Sequence, residues 1–438
     1  NFGNYHYEVW DAKLSNTMKP YFAIQLCSYT EMLEHMQGKR PEMLTIILGN
    51  KDKVRLRTQD YNAYFHLIKS SFISFQNKWQ TNQLPDPAES KTHGRWSQYA
   101  KNILEKGRHL SLIANITRSQ IKRLEKAGIT TIDKAAELSF QSIPRLSDDV
   151  LGRIKSQAKL QISSENLERP NYQILPHNTD RSIGLTLLPP HSDNDIFFDI
   201  EGFPFVEGGL EYLWGVSYFS NAEKRKFKDF WGHDKESEKK AFVNFVDWVY
   251  ERWIRDPSMH IYHYGSYEVT ALRRLMSCNG IKEHEVDTLL RHEVFVDLYN
   301  IIRHSILIGE PNYSIKNVEH IYRDKRETEV ASGGESIVAY EEWRSNPDGL
   351  SWETSQVLRA IRDYNLDDCN STQELTEWLR NVQKSHGINY SRKPSQNDEI
   401  LEREDETEET LLRDKILEEA LTETDETKIN VLKNLAWL

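Results

Sequence analysis

The stretch "FFDIEGFP", residues 197–204, constrains this chain more than any other. Ile196, Phe198 and Ile200 recur at period two as one apolar face, and Gly202 with Pro204 ends the run, so the pattern predicts a buried strand. Asp199 and Glu201 then project together from the opposite face. Two like charges held that close are costly unless something neutralises them, and a divalent cation bound through oxygen is the usual solution. A bare Asp-x-Glu also fits a strand end dipping into solvent, so the pair gains meaning only from other acids that join it.

At 438 residues the chain has room for two or three domains with their own cores. No apolar run approaches a membrane span and no secretory signal opens the sequence, so a soluble cytoplasmic protein is expected. Cys27, Cys278 and Cys369 lie far apart without zinc or iron-sulfur spacing and read as reduced core thiols. The net charge of -11 is unevenly spread: residues 397–428 carry 14 acids against 4 bases, whereas residues 51–160 carry 20 bases against 10 acids. A basic middle and an acidic tail leave a nucleic-acid partner open. The tail reads either as a solvated linker or as a segment that masks the basic middle. The opening without Met, directly into "NFGNYHYEVWDAKLS", reads as a piece of something longer.

Six regions separate by composition. Residues 1–83 alternate the strand "YHYEVWDAKL", the helix "YFAIQLCSYTEMLEHM", the strand "EMLTIILG" and a helix near 59–79, which is α/β material. Residues 84–112 form a polar connector with Pro85 and Pro87, and 113–163 carry short basic helices around Gly128. After a linker at 164–192, residues 193–385 hold three strands, "DIFFDIEG", "LEYLWGVSYF" and "KRKFKDFWG". Alternating helices and strands follow, ending in a helix near 353–380, so an α/β mixed sheet with flanking helices is expected. Residues 386–438 form an acidic linker and a terminal helix.

The last long helix supplies further candidates, because Tyr364 and Asp368 are four apart and share one face. Glu268 follows the strand "HIYHY" at its C-terminal end, where open α/β sheets place sites. Asp297 is either a helix N-cap or another carboxylate of the set. This order, Asp-x-Glu, an acid near a middle strand, then Tyr-x-x-x-Asp, resembles the DEDD exonucleases of the ribonuclease H-like fold. More closely, "FFDIEGFP", "IYHYGSYEVTALRRLM", "FVDLYNIIRHSILIGEPNYSIKNVEHIY" and "YNLDDCNST" look like the YprB-type exonuclease domain attached to RecB-like nucleases. The resemblance implies that Asp199, Glu201 and Asp368 are metal ligands and that Tyr364 positions the attacking water. Glu268 stands where the wider superfamily has Asp, as a further ligand with a longer reach. Two Mg²⁺ or Mn²⁺ ions would fit such hard oxygen donors. Lys316 reads as a surface lysine or a phosphate contact, and Trp214 and Tyr212 as core.

Near the N-terminus, "YHYEVWDAKLS" puts Asp11 and Lys13 on one strand face, and "QLCSY" sets Gln25 and Tyr29 four apart on one helix face. This pattern resembles the RecB-like branch of the PD-(D/E)xK nucleases, in which the acid binds metal and the lysine stabilises charge at the phosphate. Those enzymes need another acid on a preceding strand, and none of the ten residues before Asp11 supplies it, so this nuclease domain reads as partial. Its relatives commonly carry a cysteine cluster before the "HLSL" segment. Residues 84–108 hold no cysteine, and no iron-sulfur cluster is expected. "LEKAGITTIDKAAEL" resembles a helix-hairpin-helix module, which would grip phosphates through backbone amides and lysines, although "PRLSDD" lacks the glycine of a second hairpin. "KINVLKNLAWL" resembles the start of a connection to a helicase domain, while no Gly-x-x-x-x-Gly-Lys loop for ATP is present.

The carboxylate pattern predicts a divalent-metal-dependent nuclease with no membrane; the resemblance implies that it is a 3′-to-5′ exonuclease with DNA favoured over RNA, with a possible helicase domain or subunit as partner. Two alternatives share the pattern: a scaffold that binds nucleic acid without cutting it, and an RNA-processing ribonuclease.

Overall fold

The computed structural model of the chain describes residues 5–79, 84–90, 92–139, 142–176, 182–220, 224–323 and 333–391, with Ala420, Lys428, Ile429 and Leu432. The acidic run at 397–428 and the terminal stretch otherwise lie outside the described residues. The chain divides into two compact units, Asn1–Ala100 and Lys101–Leu438. Among the described residues no helix is long and apolar enough to cross a membrane.

The first unit contains β1 (Val9–Ala12), α1 (Pro20–Gln37), β2 (Met43–Ile47), β3 (Lys53–Arg57) and α2 (Thr58–Lys78). β1 runs parallel to β2 and β2 antiparallel to β3. Phe22 and Leu26, one turn apart on α1, pack with Phe65 of α2 on Leu44 and Ile46 of β2. Pro20 opens α1, and Gly38 closes it in the left-handed conformation at φ 71°. β3 was hidden in the sequence because "KVRLR" interleaves Val54 and Leu56 with cations, the habit of an edge strand.

The expected polar connector is partly helical, since α3 (Ser97–Lys106) occupies its middle and Leu110 is fully buried. The helical module that follows comprises α4 (Arg118–Lys126), α5 (Ile132–Ala136) and α6 (Asp148–Ser164). Thr117 and Gln120 form a capping box at α4, and Gly128 turns the chain at φ 82°. At the second turn Arg145 adopts φ 65° without being glycine, and its carbonyl accepts from Arg123 at 2.6 Å.

The segment 164–192 is no free linker. It supplies β4 (Tyr172–Ile174), which pairs antiparallel with β10 (Ile306–Ile308). Between them lie β5 (Ile196–Phe203), β6 (Leu210–Ser220), β7 (Lys224–Trp231), α7 (Lys235–Arg255), β8 (Ile261–His263), α8 (Tyr267–Asn279), α9 (Glu283–Arg291), β9 (Phe295–Asp297) and α10 (Leu298–Ser305). Then come α11 (Ile315–Val318), α12 (Gly333–Ser345) and α13 (Gln356–Ser385).

The five-stranded sheet has the order β7-β6-β5-β8-β9, antiparallel from β7 to β5 and parallel from β5 to β9. Alternation along β5 sorts its side chains as the sequence requires. Ile196, Phe198 and Ile200 pack against Phe242, Phe245 and Val249 of α7, and Phe197 faces the other way, toward the core that holds Leu375 and Leu379 of α13. This mixed sheet with helices on both faces is an RNase H-like architecture. Cys27 and Cys369 are buried free thiols as expected, whereas Cys278 is exposed at the end of α8.

Candidate metal centre

Asp199 and Glu201 share the face of β5 that α13 crosses, and Asp368 on α13 completes a group with them. One ligand oxygen from each lies within 4.8 Å of the others, and among the described residues this is the one such group of three or more His, Cys, Asp or Glu side chains. Glu201 and Asp368 are buried. Burial, with the Asp368 charge adding to it, pushes the Glu201 carboxyl up to about 8.

Two neutral donors hold the carboxylates in place. Asn365, three residues before Asp368, donates to Asp199 Oδ2 at 2.7 Å. It reaches the sheet because Gly215 lies opposite Asp199 on β6, where a Cβ would fall 1.6 Å from Asn365 Oδ1. Ser336 on α12 donates to Glu201 Oε2 at 2.8 Å, and its hydroxyl also meets that of Tyr212 at 2.8 Å. Tyr212 and Trp214 are fully buried, as the sequence predicts, and Tyr212 stacks on Tyr340 with ring centroids 3.6 Å apart.

Tyr364 sits one turn before Asp368. Its hydroxyl is pushed far above the ordinary phenol range by burial and by the neighbouring carboxylates, so it stays a donor. Lys316 of α11 lies 5.0 Å from the centroid of the Tyr364 ring, and its charge draws Glu201 downward. Lys316 therefore belongs to the site and not to a remote surface.

Glu268, expected as a further ligand, does not join the group. It is buried in the first turn of α8, where Oε2 points at Nδ1 of His263 at 3.3 Å, because helix start and strand end face each other there. Asp297 is the N-cap of α10, accepting from Tyr299, and also accepts from Gly265 N at 2.9 Å. Asp367, beside Asp368, is engaged by Arg323 at 2.7 Å. Sequence reasoning missed Asn365 and Ser336. The first was legible as a polar residue a turn from Asp368; nothing local marked the second.

In the first unit, Lys13 Nζ lies 2.8 Å from Asp11 and donates to Gln25 at 2.6 Å, and Gln25 donates in turn to Tyr29 at 2.6 Å. The four residues singled out in the sequence thus form one continuous chain. Among the described residues no group of three metal-capable side chains forms around Asp11, so its expected role as a metal ligand lacks partners.

Residues 196–380 match the family described as the RNase H superfamily. No curated protein and no solved structure matches the chain. A domain of that superfamily carrying this carboxylate group points to a metal-dependent nuclease, a phosphodiester hydrolase acting on nucleic acid. The match stops short of the first unit.

Proposed function

We propose that the chain is a 3′-to-5′ exonuclease that removes nucleotides from DNA at the Asp199–Glu201–Asp368 centre. The observation that carries this reading is the convergence of three carboxylate oxygens within 4.8 Å, with Tyr364 on the helix face that bears Asp368. The donor set fits a hard divalent cation: all three ligands are oxygens, and a cation between them offsets the burial and like charge that push the Glu201 carboxyl up. Asp199, Glu201 and Asp368 would hold Mg²⁺ or Mn²⁺. Bound there, such ions lower the pKa of water and offset charge on the leaving oxygen.

The chain's own residues do the rest. Asn365 and Ser336 fix the rotamers of Asp199 and Glu201, so the ligand oxygens are preorganised. Tyr364 keeps its proton and donates to the attacking water, and Lys316 meets the phosphate approaching over the Tyr364 ring. Hydrolysis adds water across the bond between phosphorus and the 3′-oxygen, releasing a nucleoside 5′-monophosphate. Glu268 acts through His263, outside the ligand set. The hairpin turns at Gly128 and Arg145 hold the substrate's phosphates, the first unit is a partial RecB-like domain that binds without cutting, and a helicase domain or subunit is the partner that feeds strands in.

The test is a time course on 5′-end-labelled DNA and RNA strands with Mg²⁺, Mn²⁺ or chelator. A metal-dependent ladder shortening from the 3′ end of DNA supports the reading. Fragments from internal cuts, a preference for RNA or cleavage in chelator contradicts it.

A further inference from the structure

The helical module is fixed to the sheet domain by buried polar contacts. Gln157 of α6 donates to the carbonyl of Ile308 at 2.8 Å and to Gln161 at 3.0 Å, and it accepts from Tyr313 at 3.2 Å. Gln161 in turn donates to Leu112 O and accepts from Ala114 N. Arg153 donates to Arg303 O at 2.6 Å. Buried amides satisfied on this scale set one docking geometry, since any shift leaves several of them unpaired.

Along that seam two cavities of about 270 and 570 Å³ share Asn115 and Tyr313 in their linings, which sets them side by side as two sections of a groove. Its outer section is walled by Arg153 and Arg303, with no carboxylate in its lining. The acid in the inner section is Asp297, whose Oδ1 is already bound by the amides of Gly265, Tyr299 and Asn300. Tyr264 and Tyr299 line that section edge to face, 5.7 Å apart, with the Arg303 guanidinium over Tyr299 at 5.9 Å. Two residues of the inner lining, Ser266 and Ser314, adjoin along the chain residues that flank the carboxylate site. Ser266 precedes Tyr267, whose hydroxyl is what a Cβ at Gly202, next to Glu201, would strike, and Ser314 caps the helix that carries Lys316.

We propose that this groove is the channel for the unreacted part of a single nucleic-acid strand, running from the helical module to the metal centre. The proposal rests on the nuclease reading for its direction, but its chemistry stands on the groove: two arginines in one section, and amides, hydroxyls and two tyrosine rings in the other. It gives the module's rigid docking a purpose, because a channel wall that moved would not hold the strand in line with the site.

The test uses the full chain with Asp199→Ala, so that nothing is cut, and fluorescein-labelled oligo-dT of 4 and 20 nucleotides read by anisotropy. Arg303→Ala and Arg153→Ala, each checked for an unchanged melting temperature, should weaken the 20-mer about 5-fold and flatten the slope of log K against log salt by about 0.7. The 4-mer should be unaffected and Arg303→Lys should restore most of the loss. Equal losses for both lengths, no loss for either, or equal competition by polyglutamate, the signature of an acidic-peptide groove, would overturn it. Because binding is read without turnover, an inert parent enzyme would defeat the nuclease reading and leave this result standing.

Discussion

Glu201 is the residue on which the electrostatics turn. Its ordinary carboxylate value of 4.5 is raised to about 8, first by burial and then by Asp368. Below 4.5 folded and unfolded chains both carry the proton and the group costs nothing; as pH climbs toward 8 the unfolded chain ionises and the folded one resists, so metal-free stability falls across that window. A divalent cation removes the penalty, and the rise in melting temperature on adding Mn²⁺ should be larger at pH 8 than at pH 6. Glu201→Gln should raise the metal-free melting temperature at pH 8, by roughly 2–4 °C per kcal/mol relieved, and abolish cleavage. Differential scanning calorimetry with a matched activity assay checks both. Asp199 and Glu201 were legible in the sequence because period two sends alternate side chains to one face, and Asp368 with Tyr364 because four residues make a helical turn. Glu268 was misplaced for the complementary reason: spacing locates a residue on an element but not the partner its side chain turns to.

At the scale of elements, the site depends on how closely α13 approaches β6. Gly215 admits that approach, and Cys369 donates to its carbonyl at 3.3 Å on the same seam. Gly215→Val should cost about 1–3 kcal/mol by overpacking. It should reduce cleavage beyond what lost folding explains, since Asn365 would be pushed off Asp199; thermal melts and kcat on the folded fraction separate the two effects. The strands β5 to β9 and helices α7, α8 and α13 follow from apolar periodicity. α12 escaped notice, and with it Ser336, because a helix 135 residues from Glu201 in sequence meets it only through the finished fold. β4 was hidden in what reads as linker, since three residues gain strand character only from pairing with β10.

Over the whole molecule, the two units carry different chemistry. The Asp11–Lys13–Gln25–Tyr29 chain is assembled, yet among the described residues Asp11 joins no group of three metal-capable side chains, so the proposed turnover belongs to the sheet domain. The double substitution Asp11→Ala with Lys13→Ala should leave the rate on short single strands unchanged, whereas Asp199→Ala should lower it at least ~10³-fold, as expected when a ligand of a catalytic metal is lost. Parallel progress curves decide this. The overall net charge misleads at this scale, because the acidic run at 397–428 offsets a basic middle at 51–160 that overlaps the helical module.

Diffraction from crystals soaked in Mn²⁺, recorded at the manganese edge, reads the central assignment most directly. Anomalous peaks bounded by Asp199, Glu201 and Asp368, and lost in Asp368→Ala, are the predicted result. Peaks at Glu268 and His263 alone, or none between the three carboxylates at saturating manganese, would contradict it.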